Sequence, residues 1–112
     1  MTHSPARVTT FDPEALNRLM ADAKVWSVDV REPAEYAVER IPGASLCPLS
    51  SFAPGALPHD QSRSLVFHCA GGKRSLAAAQ RLLAAGVSEA THLGGGIAAW
   101  KAAGLPVINS AG

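Results

Sequence analysis

Two cysteines in 112 residues, Cys47 and Cys69, allow at most one bridge. That is too few for a disulfide-stapled secreted scaffold and fits a reducing compartment, so a cytoplasmic protein is expected. Charge of one sign is also missing. A formal net charge of +1 and a pI near 7.9 leave no basic stripe for nucleic acid or an acidic membrane surface. No long apolar run is present either. The start, "MTHSPARV", lacks the apolar core of a signal peptide. The longest uncharged stretch, "IPGASLCPLSSFAPGALP", is broken by Pro42, Pro48, Pro54 and Pro58, so no membrane segment is expected. His3, His59 and His92 are scattered without metal-ligand spacing.

What is there suffices for one compact domain over residues 1–112, since 47% of the side chains are hydrophobic. The runs "VWSVDV" (25–30) and "LVFHC" (65–69) have the length and β-branched content of strands buried in a parallel sheet. Between and after them come helical segments. "DPEALNRLMAD" opens with Asp12 as N-cap and Pro13 at the first helical position, and "KRSLAAAQRLLAAG" stops at Gly86, with Leu76, Ala79 and Leu83 on one face. A further strand, "ATHL", passes through Gly94–Gly96 into "IAAWKAAG", where Trp100 packs the last helix down. Strand and helix in alternation define an α/β fold around a mainly parallel sheet.

"CAGGKRS" then carries the chemistry. Cys69 closes a buried strand and Arg74 begins a helix, so the loop between them crosses the carboxyl edge of the sheet, where open α/β folds bind ligands. Gly71 and Gly72 admit backbone angles closed to other residues, so several N–H groups can converge on one point. The helix start adds unpaired N–H groups and a positive dipole end, and Lys73 and Arg74 add full charges. Such surroundings lower a cysteine from about 8.5 to roughly 3.5–7.5. Cys69 is therefore the candidate nucleophile. Cys47, in "ASLCPLS", has none of these neighbours and reads as a small core hydrophobe, with a resolving thiol as the alternative.

Three segments in order, "DVREPAEYAVERIPGA", "CAGGKRS" and "LGGGIAAWKAAGLPV", resemble the successive motifs of single-domain rhodanese-like sulfurtransferases and cover the chain from Asp29 to Val107. The resemblance implies a doubly wound parallel sheet with helices on both faces, a catalytic Cys69, and a loop from Cys69 to Arg74 whose amides cradle a persulfide. It departs from many relatives at Arg40, where they carry histidine, at Leu46, where asparagine is frequent, and at Ala70, where an arginine follows the cysteine. Positive charge at the loop thus rests on Lys73 and Arg74.

The implied reaction moves a sulfane sulfur from a small-molecule donor such as thiosulfate to cyanide, a thiol or a protein acceptor, without metal or organic cofactor. Ala70, Gly71, Gly72, Lys73 and Ser75 are the expected substrate-binding residues, with Lys73 recruiting the anion. Arg74 is expected to orient the loop and touch sulfite oxygens. Ser75 either donates its hydroxyl to the site or serves only the first helical turn. Asp29 and Arg31, in the "DVR" segment, are supporting residues that pair structurally, with Glu35 as a further partner. His68 is turned by strand alternation to the face opposite Cys69, and so reads as a core or supporting histidine rather than a general base. Gly94–Gly96 read as a turn into the last helix rather than a phosphate loop.

Two rivals remain in different classes. "HC" followed by a basic anion loop also resembles cysteine phosphatases and arsenate reductases, which place five residues between cysteine and arginine; here there are four. The other rival is a redox-sensing or interaction module that keeps the fold without turnover.

Overall fold

The structure, a computed structural model, describes residues 6–57 and 62–109; the readings made for His3, Pro58 and His59 lie outside them. In chain order the elements are β1 (Arg7–Phe11), α1 (Pro13–Ala21), β2 (Val25–Asp29), α2 (Pro33–Val38), β3 (Glu39–Arg40), β4 (Ser45–Leu46), β5 (Ser64–His68), α3 (Lys73–Ala84), β6 (Glu89–Leu93), α4 (Gly96–Ala102) and β7 (Ile108–Asn109). Two short 3-10 turns, Leu49–Ser51 and Pro54–Ala56, lie between β4 and β5.

Five strands form one parallel sheet in the order β1-β6-β5-β2-β4, and β3 pairs with β7 in a separate antiparallel ribbon. The two runs read as central strands are neighbours, with Val28 beside Phe67 and Asp29 beside His68. Side chains alternate across the sheet. Val28, Phe67, Cys69 and Ala90 join Ala78, Ala79 and Leu82 of α3 on one face, where Leu57, Phe52 and Leu49 of the long connection also pack. Val25, Val66 and Leu93 meet Leu16 of α1 and Ile97 and Trp100 of α4 on the other. The result is the α/β architecture expected, with helices on both faces.

Local chemistry sets the helix ends. Asp12 caps α1 by accepting from the Ala15 N–H at 2.8 Å, ahead of Pro13 at the first helical position. Trp100 is 2% exposed, and its indole N–H donates to the Pro106 carbonyl at 2.7 Å, so α4 is fastened to the chain that follows it. Helix α3 differs from expectation in its rotation. Its inward face is Ser75, Ala78, Ala79 and Leu82, whereas Leu76 is 37% exposed and Leu83 only half-buried. Ser75 has polar partners beneath it, and the two alanines let the helix lie close on the sheet, so the inward stripe runs one position earlier.

Chain direction singles out one crevice. From β2 the chain moves outward to β4, and from β5 it moves the opposite way to β6. The carboxyl ends of β2 and β5 therefore flank the topological switch point, the place where such sheets bind ligands.

Candidate active site

Cys69 follows β5 directly at that switch point and is 1% exposed. The loop then turns into α3 within three residues. Gly72 makes this possible with φ +105°, a left-handed angle that strains any side chain, and a Cβ there would press on the Gly95 nitrogen at 3.2 Å. Gly71 differs from expectation. Its φ lies outside the left-handed region and a Cβ would have open space, so only one of the two glycines uses its conformational freedom.

The Cys69 sulfur is held by short-range donors. The Gly72 N–H points at Sγ from 3.0 Å, and Ser75 Oγ stands 3.6 Å away. Burial by itself pushes this thiol up. The Ser75 hydroxyl and the backbone N–H groups of Ser75, Gly72 and Gly71 outweigh burial and bring it below its ordinary value. The loop can thus carry negative charge on sulfur without a formal cation in contact.

The loop is also anchored from the far side. The Ile97 N–H donates to the Cys69 carbonyl at 2.8 Å and the Ala98 N–H to the Ala70 carbonyl at 3.1 Å, so the first turn of α4 grips both residues by their oxygens. This contact needs Gly96. A Cβ on it would collide with the Cys69 carbonyl oxygen and lie 2.7 Å from the Ala70 carbonyl group. Gly94–Gly96 do turn β6 into α4 as expected, and Gly96 also lets α4 approach the Cys69 backbone.

Charged residues ring the loop in two groups. Arg74 makes a two-pronged ion pair with Glu35 of α2, at 2.7 Å to Oε1 and 2.9 Å to Oε2. Its fork is engaged there, which ties the start of α3 to α2. The Arg74 hydrogen bond holds the Glu35 carboxyl down at about 2 against burial. Glu35 Oε1 also accepts from the Glu32 N–H at 3.0 Å, which closes the N-terminal turn of α2. Lys73 is exposed and forms no ion pair among the described residues.

The second group is buried. Asp29 is fully buried and receives the Arg31 guanidinium at 2.7 Å and the Arg31 N–H at 2.9 Å, while Arg31 also donates to the Glu39 carbonyl at 2.6 Å. His68 Nε2 stands 3.4 Å from the same carboxylate, and its Nδ1 meets Ser27 Oγ at 3.2 Å. Burial by itself pushes the Asp29 carboxyl up, but the His68 ring and Arg31 overcome it and hold it well below the ordinary carboxylate range. Among the described contacts Glu35 hydrogen-bonds Arg74 rather than Arg31; it sits on α2 facing α3 and feels the Arg31 charge at longer range, while Arg31 folds back on Asp29 of β2. His68 stands on the face opposite Cys69.

Several roles escaped sequence reading. Glu35 as the partner of Arg74 and Gly96 as the close neighbour of the Cys69 carbonyl are two of them. His92 and Thr10 are the others: the His92 ring joins Ser75 Oγ at 2.9 Å through Nδ1 and Thr10 Oγ1 at 3.2 Å through Nε2. A polar residue two positions after buried Ala90 on β6 was the available signal for His92. Cys47 is free, half-buried and packed at the edge of the cluster that contains Cys69. Among the described residues there is no cluster of metal-ligating side chains, and no helix is long and apolar enough to cross a membrane.

A buried thiol under converging amides at the switch point of a parallel sheet defines a cysteine domain able to hold negative charge on sulfur. Residues 12–103 match the rhodanese-like domain, and the chain belongs to that family. It is similar to a sulfurtransferase of Allochromatium vinosum, at 35% identity over 90% of this chain and 95% of that one. An uncharacterized Synechocystis protein is 40% identical over 98% of this chain, which spans 62% of that relative's length. The structure of thiosulfate sulfurtransferase from Pseudomonas aeruginosa aligns with TM-score 0.78 and 28% identity over 97% of this chain and 21% of that one. A possible tyrosine phosphatase of Rhodopseudomonas palustris aligns with TM-score 0.75 and 28% identity, over 90% and 85%.

Proposed function

We propose that this chain transfers sulfane sulfur through a persulfide on Cys69. The observation that carries the reading is the cradle itself: Gly72 N–H 3.0 Å from Sγ inside a loop with four residues between Cys69 and Arg74. The Cys69 thiolate attacks the outer sulfur of thiosulfate. The sulfur–sulfur bond of the donor breaks, its electron pair leaves with sulfite, and Cys69 keeps the transferred sulfur as a persulfide anion. Cyanide or a thiolate, free or on a protein, then attacks that outer sulfur, forms thiocyanate or a new persulfide, and returns Cys69 as thiolate in a ping-pong cycle.

Backbone N–H groups from Gly71, Gly72 and Ser75 stabilise charge on sulfur, Ala70 carries the carbonyl by which the loop is anchored, and Lys73 recruits the anionic donor. Arg74 acts through Glu35 to fix the start of α3. Asp29 and Arg31 brace the carboxyl end of β2. Intact mass after incubation with thiosulfate, with and without cyanide, tests the reading. Gain of one sulfur atom, removed by cyanide, is the expected result. A chain that never gains sulfur from thiosulfate or another persulfide donor overturns it.

A further inference from the structure

Ser75 Oγ has a single proton and three neighbours that can take it: the Gly72 carbonyl at 3.1 Å, His92 Nδ1 at 2.9 Å and Cys69 Sγ at 3.6 Å. A buried hydroxyl between three such groups has a hydrogen-bond polarity, set by which of its partners donate. Gly72 O can only accept, and it already accepts the Leu76 N–H at 3.1 Å, so it stays satisfied when Ser75 turns away. His92 can play either part, according to its tautomer.

We propose that Thr10 and His92 are positioning residues that set Ser75 as a one-proton switch for the charge on Cys69. Thr10 Oγ1 donates to His92 Nε2, which keeps the ring proton on Nδ1, and Nδ1–H donates to Ser75 Oγ. While Cys69 is a thiol, its S–H also donates to Ser75 Oγ and the Ser75 proton goes to Gly72 O. When the thiol proton leaves to water, the Ser75 hydroxyl rotates and donates to the thiolate. Every group remains bonded in both states, and only one hydroxyl torsion changes. With the opposite tautomer, Nδ1 would accept the Ser75 proton and compete with sulfur for it.

Three observations support the arrangement. Thr10 and His92 are register partners on β1 and β6, so backbone pairing fixes their approach. His92 is 7% exposed, and burial holds its imidazole below the ordinary value, which keeps the ring neutral with one proton to place. Ser75 is fully buried on the inward stripe of α3, which explains why that stripe begins with a polar residue. The inference rests on Cys69 as the sulfur-carrying residue. The charged or titratable groups on the Cys69 side are Lys73 and Arg74 from its own loop and helix start and His92 from β6, while Asp29, Arg31 and His68 cluster on the opposite face of the sheet; all but His92 are kept in the variants below.

The test uses the full chain in a Cys47→Ser background, so that iodoacetamide reports on Cys69 alone. His92→Phe should move the midpoint of the alkylation pH profile upward by roughly half a pH unit to one, because Ser75 keeps its proton for sulfur but loses the neutral Nδ1–H donor that holds its Oγ in place. Thr10→Val should move it in the same direction. His92→Asn, whose amide N–H sits where Nδ1–H was, should recover most of the shift. Turnover with thiosulfate should fall through kcat while KM stays within about twofold. Long-range nitrogen–proton NMR correlations on the unsubstituted protein should find the proton on Nδ1, a readout that needs no folded variant.

A proton on Nε2 overturns the proposal, as does a profile that His92→Phe and Thr10→Val leave unmoved. Equal shifts in His92→Phe and His92→Asn would assign the effect to packing and overturn it too. Shifted profiles in a chain that never loads sulfur would support the switch while removing the sulfurtransferase reading. Normal loading with unmoved profiles would do the reverse.

Discussion

Gly96 lies against the carbonyl of Cys69 so closely that no side chain fits between them, and its φ is +61°. Two costs therefore coincide at one residue. Gly96→Ala must displace α4 from the loop and adopt a left-handed angle, for a loss of about 2–4 kcal/mol from overpacking and backbone strain together. Sulfur loading should fall with it, because the Ile97 and Ala98 N–H groups lose their grip on Cys69 and Ala70. Gly86→Ala is the control. It has φ +105° but open space around a Cβ, so it should cost only the backbone term, about 1–2 kcal/mol, and leave loading at the wild-type level. Thermal melts and intact mass on the two variants check the contrast.

Cys69→Ser should abolish sulfur loading and turnover, whereas Cys47→Ser should leave both near wild type. Cys47 is packed at the cluster edge without the amide cradle that Cys69 has. Comparable losses in the two variants would indicate a dithiol mechanism instead. Mass spectrometry after thiosulfate treatment distinguishes the outcomes.

Lys73 is the exposed cation of the loop without an ion-pair partner among the described residues. Lys73→Ala should therefore raise KM for thiosulfate by roughly threefold to tenfold, lower its dependence on ionic strength, and change kcat little. Steady-state rates at two salt concentrations suffice. An unchanged KM would take Lys73 out of donor recruitment.

Arg74 and Glu35 give a pH-dependent contribution whose sign follows from linkage. The ordinary carboxyl value is 4.5 and the Arg74 hydrogen bond lowers Glu35 to about 2 in the folded chain. Between those values the unfolded state binds more protons, so stability rises with pH across the window and is lost as pH falls from about 4.5 to about 2. Both side chains are 36% exposed, which screens the pair and limits it to about 1 kcal/mol. Glu35→Gln should lower stability near neutral pH and flatten that acid limb. It should also reduce kcat, because the Arg74 fork no longer fixes the start of α3. Denaturant melts from pH 2 to pH 7 read the first effect.

The features legible in the sequence are those whose causes are local. Buried strand runs announced β2 and β5, the Asp12–Pro13 pair announced α1, and a cysteine between a strand end and a glycine turn announced the loop. Features set by distant partners were not legible. The rotation of α3 depends on Ser75 finding His92, seventeen residues away on another strand. Glu35 meets Arg74 across thirty-nine residues, and nothing near either residue records the meeting. The three glycines were visible, yet their second task depends on how closely α4 passes the Cys69 carbonyl, a distance that only the packed fold defines.

Under the proposed function, loop size favours sulfur over phosphate. With Ala70, Gly71, Gly72 and Lys73 between Cys69 and Arg74, the nearest amide is 3.0 Å from the sulfur itself, which leaves the cradle fitted to one sulfur atom. A tetrahedral phosphoryl group needs its donors spread wider around the point of attack. The wild type should therefore hydrolyse p-nitrophenyl phosphate negligibly, even though one structural neighbour is described as a possible tyrosine phosphatase. Inserting one glycine between Gly72 and Lys73 widens the ring and shifts the start of α3, so Ser75 and the Arg74–Glu35 pair lose their registration with Cys69. Thiosulfate turnover should then fall by roughly tenfold or more, the scale of one to two lost hydrogen bonds, and a trace of phosphatase activity should emerge. Efficient phosphatase activity in the wild type, together with no sulfur gained from thiosulfate, would replace the sulfurtransferase reading with the phosphatase one.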